Sequence, residues 1–377
     1  MIRKYLFYLI LLMTGMATLP VKAFAHAEKI YYLHGKVKNR AIAVKMLCFD
    51  EMPTRQLFYY FQDEKKDHYL HGKLMAERWT FVPDTSEHSS NDIRIVLSIS
   101  NKDKTTWSGF WIDSAGRREA LILEPIQPDS IRSSYASLPF FQELDPYEKY
   151  RLSDIRFTKT KSEKITKNLF VDWYVEQQSG IEFFRLLSNN AHANMDSVNT
   201  MLETIHLSLL QKKFGYAPDH KRATIETKIL YVTDQLVSFQ LFSNVTYTTN
   251  KTLQSRQLTT LNVPSGLQVD LEDILWFGDS ADKPSEGDLY KIYKYRKRVF
   301  APKIFAILQG LYPEKMASSD CGINNVENWS IVMWGLTKKG IAFGLGKTDT
   351  CNVESWAIVP YMKLKDFIDE RYRFLKK

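Results

Sequence analysis

Apolar and polar positions alternate in short runs over residues 30–125, and a period of two predicts strands rather than helices. Ala41–Leu47, Leu57–Phe61 and Trp79–Val82 are apolar or aromatic runs, and Arg94–Ser100 sets Ile95, Leu97 and Ile99 against polar neighbours. Trp107–Ile112 and Glu119–Leu123 flank Asp113-Ser114-Ala115-Gly116, a sequence suited to a hairpin turn. Tyr69-Leu70-His71-Gly72-Lys73 repeats Tyr32-Leu33-His34-Gly35-Lys36 at a spacing of 37 residues. Two copies are too few for a solenoid. The pattern predicts one small antiparallel sheet or barrel over residues 26–125, with a duplicated hairpin.

Residues 126–169 read as a linker. Pro125, Pro128, Pro139 and Pro146 and the polar stretch Ser130–Ser137 predict little regular structure there. From Phe170 the period changes. Met195–Leu210 places Val198, Met201, Leu202, Ile205 and Leu209 on one helical face, with Asn194 or Asp196 as cap. Strands are expected at Thr224–Val232, Leu236–Thr248 and Leu253–Val263, and again at Trp329–Leu336, Ile341–Leu345 and Ser355–Val359. Between the two sets lie a basic helix, Leu289–Phe300, and a second segment from Pro302 to Leu311. Met362–Leu375 is expected to close the chain as an amphipathic helix. Helices alternating with meanders predict an α+β layout rather than βαβ units.

The N-terminus carries an address. Met1–Tyr5 holds two cations, Leu6–Leu19 is mostly apolar, and Ala23-Phe24-Ala25 supplies small residues for signal peptidase. The apolar run is about 14 residues, short of the roughly 20 that span a bilayer as a helix. Residues 1–25 are therefore expected to be a cleaved signal peptide, leaving a periplasmic or secreted protein without a transmembrane anchor. The 377 residues are 44% hydrophobic and 25% charged, which excludes a mainly disordered or collagen-like chain. Loss of Arg3, Lys4 and Lys22 with the signal lowers the formal charge from +8 to +5, enough to suit an anionic neighbour. Export puts the three cysteines where disulfides persist. Cys321 and Cys351 flank one β-rich stretch, and a bridge closing that loop of roughly 30 residues is worth roughly 3–4 kcal/mol. Cys48, in an apolar run, is expected to be a buried free thiol.

Val175–Gly215 resembles the PdaC-type domain in Ser179-Gly180-Ile181 followed by a helix near Asn199-Thr200-Met201-Leu202. Thr224–Ile368 is similar to the RsiV-like C-terminal domain family of bacterial envelope proteins. That likeness rests on Asn262-Val263, Pro264-Ser265-Gly266, Leu271-Glu272-Asp273-Ile274-Leu275 and Val359-Pro360-Tyr361-Met362-Lys363-Leu364-Lys365-Asp366-Phe367. The resemblance implies a two-layer α+β domain outside the cytoplasm with no catalytic centre of its own. One branch of the family binds lysozyme, and another accompanies a polysaccharide deacetylase. Where many relatives carry a Gly-Gly-Ala-His-like loop, this chain has Tyr247-Thr248-Thr249-Asn250-Lys251-Thr252. Lysozyme binding by that loop is therefore not implied. The domains expected are 26–125 (β), 126–169 (linker), 170–223 (PdaC-type) and 224–377 (RsiV-like).

Candidate chemistry is sparse. No G-x-S-x-G, H-E-x-x-H, Walker or G-x-G-x-x-G motif occurs. No histidine lies in residues 221–377, so catalysis there would need carboxylates or tyrosine. His68 and His71, three apart on a strand, would face opposite ways and not share a metal. His192 reads as a local hydrogen-bonding group. Glu272 and Asp273 are adjacent rather than facing across a cleft, and Asp273 reads better as a helix cap. The strongest surface feature interleaves Tyr290 and Tyr295 with Lys291, Lys294, Lys297 and Arg298, a pattern that grips sugars or polyanions or is simply a solvated face. No metal, cofactor or nucleic-acid partner is expected. The leading expectation is a non-enzymatic envelope binding protein with lysozyme, another envelope protein or peptidoglycan as partner. The alternatives are a cell-wall hydrolase or deacetylase accessory with a carboxylate site, and a structural module for envelope assembly.

Overall fold

The computed structural model describes residues 29–48, 54–75, 78–83, 94–99, 106–190, 194–215, 220–247, 249, 251–279, 283–284, 288–345 and 357–376. The expected signal peptide, His192 and Cys351 lie outside them. Eight strands form the first part: β1 (Lys29–Val37), β2 (Arg40–Cys48), β3 (Thr54–Phe61), β4 (His68–Met75), β5 (Arg78–Val82), β6 (Arg94–Ile99), β7 (Trp107–Ile112) and β8 (Arg118–Pro125). Each pairs antiparallel with the next, and β8 returns to β1 with Leu33 opposite Pro125. The meander is thus a closed barrel, and closure removes the free edges that an open sheet would expose. Alternation sends Ile42, Val44, Leu57, Ile95, Leu97 and Leu121 inward, each fully buried. The barrel interior is therefore packed with side chains.

The two copies of the repeat lie in β1 and β4. Leu33 and Leu70 are buried in the barrel core, and Gly35 and Gly72 share their parity. A Cβ at Gly35 would stand 2.2 Å from the Ile122 carbonyl oxygen, and one at Gly72 2.4 Å from the Phe81 ring. The repeat marks two places where the wall admits no side chain.

Residues 126–169 are not the irregular linker that their prolines predict. Pro139 and Pro146 open the short helices α1 (Pro139–Glu143) and α2 (Pro146–Leu152), where the missing N–H has no intrahelical partner to lose. Asp145 caps α2 by accepting from the Glu148 N–H at 2.9 Å. Next, β9 (Phe157–Lys164) joins β10 (Leu169–Glu176) and β11 (Glu182–Ser188) in the order β11-β10-β9. α3 (Asp196–Phe214) runs one turn beyond its expected end. Asn194 accepts from the Asp196 N–H at 2.7 Å, although Met195 holds the cap position itself. Asn199 of α3 both accepts from and donates to the Leu186 backbone at 2.8 Å, docking the helix on β11. β12 (His220–Val232), β13 (Leu236–Tyr247) and β14 (Thr252–Asn262) form the next sheet. Val198, Leu202 and Leu210 of α3 share one core with Val171, Phe183 and Phe239.

A second core gathers α4 (Leu271–Ile274), α5 (Leu289–Tyr295), α6 (Ala301–Leu311), α7 (Pro313–Met316), the sheet β15 (Val332–Leu336), β16 (Gly340–Leu345) and β17 (Ala357–Pro360), and α8 (Tyr361–Leu364). The buried Ser238 hydroxyl ties the two sheets together. Its oxygen accepts from the Thr260 hydroxyl and from the Leu336 N–H, both at 3.0 Å. The expected closing helix is broken. The Phe367 carbonyl accepts from the Trp276 N–H and the Asp369 N–H donates to Ile274, both at 2.9 Å. Those bonds draw the backbone out of the helix, which resumes only as a 3₁₀ segment from Glu370 to Lys376.

The barrel joins the α+β part at α2. Ala43 and Tyr60 point out of the barrel yet are fully buried, against Tyr147. Arg151 is fully buried, pairs with Asp67 and lies 3.5 Å from a Glu148 oxygen. The Tyr147 hydroxyl donates to Asp67 at 2.7 Å. Lys65 donates to the Arg151 carbonyl at 3.0 Å and pairs with Asp154. The Asp67 N–H donates to the Phe214 carbonyl at the end of α3 at 2.9 Å. Burial pushes the Glu148 carboxyl up to about 7; Arg151 and Lys45 pull it down, and Asp67 and Asp145 add to the rise. This folded value exceeds the 4.5 of an unperturbed glutamate, so the folded chain binds the extra proton between those values. Stability is then greatest at the acid end of that window and falls as pH rises through 7. Urea unfolding of the protein should show this loss between pH 5 and 8, on the order of 2–3 kcal/mol, and Glu148→Gln should flatten it. An equal slope in the variant would remove Glu148 as its source.

Candidate functional site

The basic aromatic face lies on a helix running without a break from Leu289 to Leu311. Asp288 opens it by accepting from the Lys291 N–H at 3.1 Å. Pro302 does not interrupt it, because residues Arg296–Phe300 form a π turn that carries α5 into α6. A π turn shifts the helical phase by inserting extra length. Tyr295 and Phe300, five residues apart, are consequently both buried. Leu289 and Tyr293, by contrast, are 56% and 51% exposed.

Tyr295 is likewise not on the surface. It is 8% exposed, its ring stacks on Trp276 at 3.7 Å between centroids, and its hydroxyl accepts from the Phe277 N–H at 2.9 Å. Arg296 also turns inward and grips Glu272 with two bonds of 2.6 and 2.9 Å. Glu272 is buried, so its carboxylate serves as a counter-ion. Asp273 sits at the third helical position and forms the reciprocal cap of α4 with Asp270. These two carboxylates stabilise fold elements, one as the partner of Arg296 and the other as a cap.

The remaining residues of the face are exposed. Tyr290 is 66% exposed, and the Lys294 ammonium stands 4.2 Å from its ring centre. Tyr290, Tyr293 and Lys294, at spacings of three and four, share one side of α5. Lys291 pairs with Asp288 at 3.2 Å and Lys297 with Glu327 at 3.4 Å. Both pairs are exposed and contribute little to stability. Arg298 is exposed, with no ion pair among the described residues. Two aromatic rings beside three or four cations can hold sugar faces together with anionic groups.

His68 and His71 of β4 go to separate neighbours. His68 stacks on Tyr59 at 4.8 Å, and His71 meets the Tyr69 hydroxyl at 3.2 Å. His206, on α3, is fully buried and stacks on Phe157. Burial and the nearby Arg185 charge push it down to about 3, so it is neutral at ordinary pH. Among the described residues no three His, Cys, Asp or Glu side chains gather as a metal site. Cys48 is free and buried. No described helix is long and apolar enough to cross a membrane.

Two charged groups escaped the sequence reading. The cluster around Arg151 unites residues some 80 positions apart, which no local pattern reveals. Arg55 carried a visible sign, since it stands at the inward parity of β3 with Leu57, Tyr59 and Phe61.

No family model matches the chain, and no curated protein does. It has a distant structural similarity to a crystal structure described as a member of the DUF3298 family from Bacteroides fragilis. The two are 10% identical with a TM-score of 0.32, over 58% of this chain and 94% of that one. A likeness this distant carries no argument about activity.

The Arg296–Glu272 pair should behave as structure and the exposed cations should not. Arg296→Met leaves a buried carboxylate without its partner and should cost about 3–5 kcal/mol in urea unfolding. Lys294→Glu should stay within about 0.5 kcal/mol.

Proposed function

We propose that the chain is an exported, non-enzymatic binding protein of the cell envelope, periplasmic or secreted. On this reading its C-terminal part is an RsiV-like domain preceded by a PdaC-type segment. The partner is an anionic glycan polymer of the wall, held by Tyr290, Tyr293, Lys294 and Arg298. The observation that carries the reading is the exposed Tyr290–Lys294 face, which the packing of the helix does not use. Buried Tyr295 and half-buried Arg296 hold α5 in place from behind, so the face is presented on an anchored element. A net charge of +5 after signal cleavage favours the same partner. The carboxylates considered for hydrolysis, Glu272 and Asp273, are engaged in a buried pair and a helix cap.

Retention on purified cell-wall material tests this directly. Exposed charges are screened over about 8 Å at physiological salt, so retention should fall steeply as salt rises. Lys294→Glu with Arg298→Glu should abolish it while stability changes by no more than about 0.5 kcal/mol. Retention by the doubly reversed protein, or retention indifferent to salt, would refute the assignment. Capture of lysozyme by the same face, with no retention on wall material, would transfer it to a protein partner.

The same reading pairs Cys321 with Cys351 in the oxidising compartment. Thiol counting on the unfolded, unreduced protein should find one free thiol, that of Cys48. Three free thiols would eliminate the bridge.

A further inference from the structure

One end of the barrel differs chemically from the packed interior beneath it. Arg55 faces inward on the first rung of β3, opposite Cys48 of β2, which in turn lies opposite Lys29 of β1. The Arg55 guanidinium stands 3.8 Å from the ring centre of Trp79 and 5.7 Å from that of Trp107. Tyr31 meets Trp107 edge-on at 5.3 Å, and the Lys29 ammonium lies 4.8 Å from the Tyr31 ring. Leu74, paired with Trp79 across β4 and β5, is 55% exposed at the rim. Met46 and Leu97 are fully buried below, so nothing sizeable can pass deeper.

Two buried nitrogens at this mouth have no hydrogen-bond partner among the described residues: Nη1 of Arg55 and Nε1 of Trp107. Trp107 is fully buried. Both atoms can only donate, and leaving such a donor unmet costs about 1–3 kcal/mol, more when it is charged. No ion pair with Arg55 or Lys29 occurs among the described residues. A pair of donors beside a cation selects an anionic oxygen acceptor. The apolar surfaces of Trp79, Tyr31 and Leu74 select an apolar body attached to it.

We propose that this mouth of the barrel binds a monocarboxylate bearing an apolar chain. The carboxylate accepts from Arg55 Nη1 and Trp107 Nε1, and the chain extends outward over Trp79 and Leu74 because the floor is filled. The site is separate from the basic helix face, and neither assignment depends on the other.

Octanoate is the probe, titrated into the full protein with tryptophan fluorescence as readout and octylammonium as the charge-reversed control. Saturable change with octanoate alone is expected. Octanoate should also slow alkylation of Cys48 by iodoacetamide, since Cys48 lies opposite Arg55. Arg55→Gln should weaken octanoate binding at least about tenfold while the protein still retains wall material. Equal response to octylammonium, undiminished binding by Arg55→Gln, or no saturable change would overturn the proposal. The last result would mean that water alone meets the two donors. The comparison of the two probes on the unaltered protein decides the matter even if Arg55→Gln fails to fold.

Discussion

Arg151 is the constraint on which the arrangement of this protein depends. A guanidinium with no solvent exposure must find its counter-charge inside the protein, and it finds Asp67 in the segment between β3 and β4. That requirement holds α2 against the outside of the barrel, where Tyr147 of the same helix also donates to Asp67. The flat faces of Tyr60 and Tyr147 enclose the cation at 4.6 and 4.9 Å. Lys65 adds a tie to the same helix by donating to the Arg151 backbone carbonyl. A buried pair of this kind adds little net stability but makes every alternative pairing costly. Its contribution here is orientation.

Orientation of the barrel then propagates through the chain. The Asp67 backbone meets the end of α3, whose apolar face holds the sheets of the first α+β core. Ser238 passes the register on to β15 through a fully buried hydroxyl. From β15 onward the second core packs around Phe300 and Ile304, and the π turn determines which residues of the basic helix remain outside. The surface offered by Tyr290 and Lys294 is thus set by packing on the opposite side of the same helix.

The meander of strands was legible because a strand repeats every two residues and most apolar positions of that period found a place inside. The repeat Leu33-His34-Gly35 was visible too, although its meaning, two close approaches in the wall, required neighbouring strands. The long helix and the sheet β12–β14 were also readable, since their apolar spacing is regular over many residues. The region 126–169 was misread because proline was weighed as a breaker. At the first position of a helix it breaks nothing. The closing helix was misread for a different reason. Its 3.6-residue periodicity is present, but hydrogen bonds from Trp276 and Asp369 compete for the backbone of residues 367–369.

The amino-acid sequence alone therefore determined the class of the fold, a β-meander followed by α+β units, and the concentration of cations on one helix. Both follow from local periodicity and composition, which need no knowledge of partners distant in the chain. Tertiary structure decided barrel closure, the burial of Tyr295, the pairing of Arg296 with Glu272 as its counter-ion, and the inward position of Arg55 beside Trp107. Each of these is a pairing between residues far apart in sequence, and one π turn is enough to change which residues of a helix are buried.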